Sequence, residues 1–246
     1  MPACDIVATR LFVEAPLGAG AQFAATPEQA NYLLSVLRLR EGDEILTFNG
    51  RDGEWRARLI DVGKRRCAIS CIAQTRAQVT GPDIRYLFAP LKHVRLDYMV
   101  QKATEMGVAG LHPVLTRRTV AARVNGERMR ANAIEAAEQC GILWVPEVAE
   151  PVRLPTLLAT WDGARRLIFC DEAADAESPL AALSSLTPGP LAVLIGPEGG
   201  FDPDERALLR AAPFTLAVSL GPRIMRADTA AVAALALVNA VLGDWR

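Results

Sequence analysis

The run Leu191-Ala192-Val193-Leu194-Ile195-Gly196-Pro197-Glu198-Gly199-Gly200-Phe201 reads as a buried strand that empties into a glycine-rich loop. Its continuous apolar stretch suits a strand covered on both faces, as in a parallel sheet. Asp202-Pro203-Asp204-Glu205 comes next. Asp as N-cap, Pro at the first helical position and Glu three residues after the cap form a capping box whose carboxylates match the helix dipole. A strand that delivers such a loop and then a helix belongs to an open α/β sheet, where ligands bind at the C-terminal strand edge. The glycines allow backbone amides to come close to a ligand.

The loop lacks the parts of a phosphate cradle. It has neither G-x-G-x-x-G spacing nor the Lys-Ser/Thr ending of a P-loop. Acids also crowd the helix start after Glu198, where a phosphate would be repelled. A cationic or zwitterionic ligand fits better, and a plain tight βα turn is the alternative.

Outward toward the C-terminus, residues 214–220 read as a strand that ends at Gly221-Pro222-Arg223-Ile224-Met225-Arg226-Ala227-Asp228-Thr229-Ala230. A nearly all-apolar helix is expected over residues 229–242. A helix apolar all round is buried, here beneath the sheet or in a subunit interface. Arg223, Arg226 and Asp228 stand beside that core, which is costly unless they are paired or functional.

Toward the N-terminus the same alternation continues. Residues 85–91, 111–115 and 166–170 read as strands. Between the first two, Leu96, Met99, Val100 and Ala103 recur at helical spacing, closed by Gly107. Residues 127–140 give a second helix ending at Gly141, and Ser178-Pro179 opens a third. Alternating βα units imply a mainly parallel sheet covered by helices. Before residue 80 the texture changes to short β-prone runs at 44–48, 55–60 and 67–72, punctuated by Asn49-Gly50 and Asp52-Gly53. With one short helix over 27–39, this predicts a small β-barrel. Thr80-Gly81-Pro82-Asp83 marks the link, so the domains are expected at 1–76 and 77–246.

Composition sets bounds on function. The 246 residues, 51% hydrophobic and 22% charged, suit one large or two modest soluble domains. Residues 1–10 hold no apolar run of signal length, so no secretory leader is expected. The apolar stretch 229–242 falls short of the roughly 20 residues that span a bilayer. Five cysteines, odd in number and never spaced C-x-x-C, suggest neither a disulfide framework nor a zinc site. Two histidines, His93 and His112, leave few parts for a metal centre or a Ser-His-Asp triad. The expectation is a cytoplasmic chain with reduced thiols and no metal. A net charge of −1 gives no global nucleic-acid signature. Locally, Arg117, Arg118, Arg123, Arg128 and Arg130 face only Glu127, a candidate RNA-contact surface or a solvated charged face.

Taken together these motifs resemble the RsmE-type methyltransferases of the SPOUT superfamily. The likeness rests on Leu194 to Phe201 and on Leu220 to Ala230. Asp97, Gln101 to Val108, Thr116-Arg117-Arg118 and Glu135 to Gly141 add to it. It covers essentially the whole chain. The resemblance implies an α/β fold: a C-terminal SPOUT trefoil-knot domain with a mainly parallel sheet, after an N-terminal PUA-like RNA-binding β-barrel domain. It implies S-adenosylmethionine as cofactor, held by Leu194, Ile195, Gly196, Pro197, Glu198, Gly199, Gly200, Leu220, Gly221, Arg223, Ile224 and Met225, with the loop after Cys170 as a further wall. It implies a homodimer that methylates uridine N3 in 16S ribosomal RNA or the small ribosomal subunit. Two positions depart from the family pattern: Asp228 stands where Glu is common, and Ile142 where Arg is common.

Methyl transfer from a sulfonium needs alignment and exclusion of water, and N3 of uracil must lose a proton. Arg226 is expected to hold RNA or stabilise negative charge, and Glu198 or Asp228 to assist the proton; Asp228 could instead be only the helix N-cap. Candidate RNA contacts are Arg38, Arg40, Lys64, Arg65 and Arg66 in the N-terminal domain, with Lys92, Arg117 and Arg118 beyond it. The rival readings are a SPOUT enzyme acting on another RNA base and a non-catalytic RNA-binding or assembly factor.

Overall fold

The computed structural model describes residues 9–121, 123–174 and 178–245; Cys4 and the rest of 1–8 lie outside them. The chain divides into two compact units, Met1–Thr80 with Ala137–Trp144, and Gly81–Ala136 with Val145–Arg246.

In the first unit β1 (Arg10–Phe12), β2 (Gln22–Ala24), β3 (Glu44–Phe48), β4 (Glu54–Ile60) and β5 (Ala68–Arg76) form one sheet in the order β1-β3-β4-β5-β2. All pairings are antiparallel except β1 with β3. The ladder does not close from β1 to β2, so the expected barrel is an open, curled sheet. The β3–β4 turn works as its residues dictate. Asn49 Oδ1 accepts from the amides of Arg51 and Asp52 at 3.0 and 2.9 Å, and Gly53 takes φ +79° with no room for a Cβ, which would stand 2.3 Å from the Arg76 carbonyl. The helix expected over 27–39 is shorter and changes pitch. It runs as α1 (Pro27–Asn31), opened by a Thr26–Gln29 capping box, and then as a π-helical turn over Tyr32–Val36. Arg38 then takes a positive φ, which ends any helix. Leu11, Leu33, Ile45, Leu59 and Ile69 make the core.

The second unit holds β6 (Ile84–Phe88), α2 (His93–Glu105), β7 (Gly110–Leu115), most of α3 (Gly126–Cys140, whose end from Ala137 belongs to the first unit), β8 (Glu147–Val148), β9 (Val152–Arg153), α4 (Leu154–Ala159), β10 (Arg166–Cys170), α5 (Pro179–Ser184), β11 (Leu191–Ile195), α6 (Pro203–Ala211), β12 (Thr215–Val218) and α7 (Ala227–Val241). The sheet runs β12-β10-β11-β6-β7-β8, with β9 also paired to β7, and every pairing is parallel. β11 shows why five apolar residues were needed. Leu191, Val193 and Ile195 join the core beneath α2 and α7, while Ala192 and Leu194 join the opposite core with Phe169 and Leu209 of α6. Since β12 lies beyond β10, the β11–α6–β12 connection passes a strand already in place, and α7 then returns to pack on β11, α2 and α5. This doubling back creates a switch in strand order, and the crevice of an open α/β sheet lies at such a point.

Several expected boundaries shift. The last helix starts at Ala227, with Arg226 in the N-cap position. Asp228 is therefore inside the first turn and is not the cap; its Oδ1 accepts from the Thr229 amide at 2.9 Å. Ser178 precedes α5 but its side chain makes no capping bond, so Pro179 alone marks that start. The capping box of Asp202 and Glu205 is present as expected, and Gly107 and Gly141 close their helices at φ 77° and 67°.

Candidate functional site

Three neighbouring parallel strands end on one cleft. β10 delivers Cys170, Asp171 and Glu172; β11 delivers Ile195 and the Gly196 to Phe201 loop; the chain after β12 delivers Leu220, Gly221 and Arg223 to Ala227, with Ala230 behind. The cavity measures about 450 Å³.

The glycine loop is shaped by what packs beneath it. Phe201 is buried, edge-on to Phe169 with centroids 5.0 Å apart. Its ring lies so close to Gly196 that an added Cβ would meet it at 2.4 Å. Gly200 turns the chain at φ +68°. Arginines from outside the loop hold it in place. Arg118 Nη1 donates to the Gly199 carbonyl at 2.8 Å. Arg117 Nη1 donates to Asp202 at 2.5 Å and Asp204 at 2.7 Å, while its backbone amide donates to buried Glu205 at 2.8 Å. Arg95, at the start of α2, donates to the Glu198 carboxylate.

The β10 loop is tied down separately. Asp171, whose side chain is fully buried, accepts from Arg210 at 2.6 Å and pairs with Arg206 at 3.2 Å; Arg206 also reaches Glu172 at 2.5 Å. Two guanidiniums satisfy a carboxylate that would otherwise be costly to bury. Burial pushes the neighbouring Cys170 thiol up to about 12, so it remains a thiol and is no nucleophile. On the opposite lip Arg223, Ile224 and Arg226 are exposed, and no partner is assigned to either guanidinium among the described residues. The cleft thus sets the exposed carboxylates of Glu172 and Glu198 across from the cations Arg223 and Arg226, an arrangement that can meet a zwitterion bearing both signs.

The cofactor residues expected from the sequence meet here, with one exception. Leu194 does not line the cleft, because strand alternation turns it into the opposite core. Glu198 and Arg226 line the cleft, whereas Asp228 does not. Cys170, Asp171, Glu172, Phe201, Ala227 and Ala230 line it without having been singled out individually. The acids directly after a buried strand were the signal for Asp171 and Glu172. Nothing local marked Arg95, which lies 103 residues from its partner. Of the expected RNA contacts, Lys92 borders a second recess, and Arg117 and Arg118 are engaged as described. Arg38, Arg40, Lys64, Arg65 and Arg66 are exposed in the first unit, after the π-helical turn and in the β4–β5 connection. Among the described residues no three His, Cys, Asp or Glu side chains are grouped to share a metal ion, and no helix is long and apolar enough to cross a membrane.

The chain is similar to known proteins along nearly its whole length. Residues 80–239 match the RNA methyltransferase domain family and residues 25–70 match the RNA methyltransferase PUA domain family. The ribosomal RNA small subunit methyltransferase E of Rickettsia conorii is 30% identical over 94% of both chains. The protein of the same name from Synechocystis is 32% identical, covering 96% of this chain and 79% of its own. Among solved structures, a putative methyltransferase from Legionella pneumophila with bound SAM superimposes with a TM-score of 0.85 at 28% identity, covering 96% of this chain and 99% of its own. The small subunit methyltransferase E of Neisseria gonorrhoeae bound to S-adenosyl methionine gives 0.82 at 26%, covering 97% and 100%.

Proposed function

The chain belongs to the RNA methyltransferase family, among the ribosomal RNA small subunit methyltransferase E proteins, and on that footing we propose that it transfers a methyl group from S-adenosylmethionine to N3 of a uridine in 16S ribosomal RNA. The observation that carries the reading is the cleft at the ends of β10, β11 and β12. At about 450 Å³ it has the size of a small-molecule site, and its charges fit this cofactor. The carboxylates of Glu172 and Glu198 suit a sulfonium and an ammonium, and Arg223 suits a carboxylate. Gly196, Gly199, Gly200 and Gly221 put no side chain between the backbone and a ligand's edge, with Ile195, Leu220, Ile224 and Met225 as apolar walls. When bound, S-adenosylmethionine supplies a methyl group already attached to its leaving group.

The protein's part is to align the acceptor and manage one proton. Uracil N3 carries hydrogen, and the base becomes a nucleophile as that proton leaves. Glu198, at the cleft lip, accepts the proton at its carboxylate, and Arg95 keeps the carboxylate oriented. Arg226 stabilises the negative charge spread over the uracil oxygens. Asp228 takes no direct part in this scheme, since it stands outside the cleft. Arg38, Arg40, Lys64, Arg65 and Arg66 hold the RNA backbone in the first unit, which reads shape while the cleft performs the chemistry. Val232, Ala233, Ala236 and Leu237 leave an apolar, half-covered face on α7, which a second copy covers in a homodimer. The enzyme works in the cytoplasm, where ribosomes are made.

Calorimetry with S-adenosylmethionine, followed by transfer of labelled methyl to unmethylated small subunits, tests this reading. Binding with transfer supports it. Binding without transfer to RNA would favour a module that kept the cofactor and lost turnover, and no binding would remove the basis of the proposal.

A further inference from the structure

The second unit carries another recess, of about 490 Å³, between the start of α2 and the chain leading into α3. Its floor is apolar, made by buried Leu91, Leu96 and Met129, and its polar lining is Lys92, Arg123 and Arg128 with Asp97 and Asn125. The arginine cluster noticed in the sequence separates here into two kinds. Arg117 and Arg118 are spent on the glycine loop, and Arg128 is fixed to Asp97 at 2.9 and 2.6 Å, with Asn132 on the same carboxylate. Lys92 and Arg123 are exposed and have no assigned partner among the described residues. Lys92 is also the N-cap of the 13-residue helix α2, and its side chain makes no capping bond to the helix amides. The amide end of α2 beside these two exposed cations suits an anion. Directly beneath them is an apolar floor, at a size suited to a nucleotide.

We propose that this recess is a nucleotide subsite for the RNA substrate. It takes one unstacked nucleotide, with its phosphate at the start of α2 between Lys92 and Arg123 and its base against Leu96 and Met129. The proposal rests on the RNA methyltransferase reading and goes further by naming where a second nucleotide is held. Its position gives it a role. Arg95 reaches Glu198 from the same helical turn that supplies Lys92 and Leu96, so one turn of α2 borders this recess and contacts the lip of the first cleft. A nucleotide held here is a near neighbour of the target uridine. It keeps the strand splayed, as sequence-specific RNA recognition requires.

Two variants of the full-length protein test the assignment, with unmethylated small ribosomal subunits as substrate. Lys92→Ala with Arg123→Ala removes exposed charge and leaves the fold intact. It should raise KM for the subunits about tenfold and make its salt dependence shallower. Ala121→Trp fills the recess without changing charge. It should raise KM similarly with the salt dependence unchanged. Both should leave S-adenosylmethionine affinity at the wild-type value. An unchanged KM for Ala121→Trp would overturn the base pocket, even if the charge variant is impaired. A loss of cofactor affinity in either variant would also overturn it, since the recess would then belong to the first cleft. If the wild-type protein itself fails to methylate subunits, the methyltransferase reading fails and this subsite falls with it; an active wild type with unaffected variants sinks the subsite alone.

Discussion

Arg95, in the first turn of α2, donates to the carboxylate of Glu198 at the tip of the glycine-rich loop. The pair joins two parts of the chain that share no local sequence signal. Its side chains are 40% and 56% exposed, so it adds little to stability, as exposed ion pairs do. In the proposed scheme it orients Glu198. Arg95→Ala should lower turnover about tenfold with cofactor affinity unchanged, a loss of roughly 1.4 kcal/mol in transition-state stabilisation. Arg95→Lys should recover part of it. Steady-state kinetics alongside calorimetry makes the distinction, and a fully active Arg95→Ala would leave Glu198 without a need for orientation.

Arg226 lines the cleft from the N-cap of α7, with no assigned partner among the described residues. Arg226→Ala should keep the melting temperature and the cofactor Kd, and should reduce kcat by about a hundredfold, the usual scale for removing a donor to developing negative charge. Normal turnover would assign the charge stabilisation elsewhere.

Gly196 is required by packing, because an added methyl would stand 2.4 Å from the Phe201 ring. Phe201 is pinned against Phe169 and has nowhere to move. Gly196→Ala should therefore displace the loop. Thermal unfolding should show a loss of about 1–3 kcal/mol, the range for overpacking, and calorimetry a cofactor Kd at least tenfold weaker. Unaltered binding would mean that the loop yields freely.

His112 supplies a pH signature. Burial, helped by Arg85, lowers it from 6.5 to about 4. Between those values the unfolded chain binds a proton that the folded chain refuses. Stability should then fall as pH drops from 6.5 toward 4, with a slope of at most about 1.4 kcal/mol per pH unit from this residue. Above 6.5 His112 contributes no slope. Denaturant titrations of the wild type and of His112→Gln at pH 7 and pH 5 should differ in their pH dependence, and identical curves would contradict the assignment.

The legible parts of this protein were those set by local chemistry. The run over 191–195 announced its own burial, Asp202-Pro203-Asp204-Glu205 announced its helix, and Asn49-Gly50 with Asp52-Gly53 announced a turn. The strand-end loops that meet in the cleft were legible for the same reason. What escaped depends on the third dimension. Leu194 was placed in the cleft because its neighbours are there, but alternation along β11 sends it to the other face. Asp228 was a candidate catalyst and a candidate cap; the helix start at Ala227 makes Arg226 the N-cap, and Asp228 is not among the residues that line the cleft. Arg117 and Arg118 were read as candidate RNA contacts from their charge, and no local signal marked their bonds to Asp202, Asp204 and the Gly199 carbonyl, more than 80 residues away. The π-helical turn over Tyr32–Val36 has no sequence signal that we can name.

The central claim is that the cleft methylates uridine N3 in the small-subunit RNA. Its most direct test is mass spectrometry of nucleosides from 16S ribosomal RNA of a strain lacking this gene, before and after treatment with the purified protein and S-adenosylmethionine. 3-Methyluridine should be missing from the deletion strain, and treatment should restore it. Unchanged 3-methyluridine in the deletion strain would contradict it.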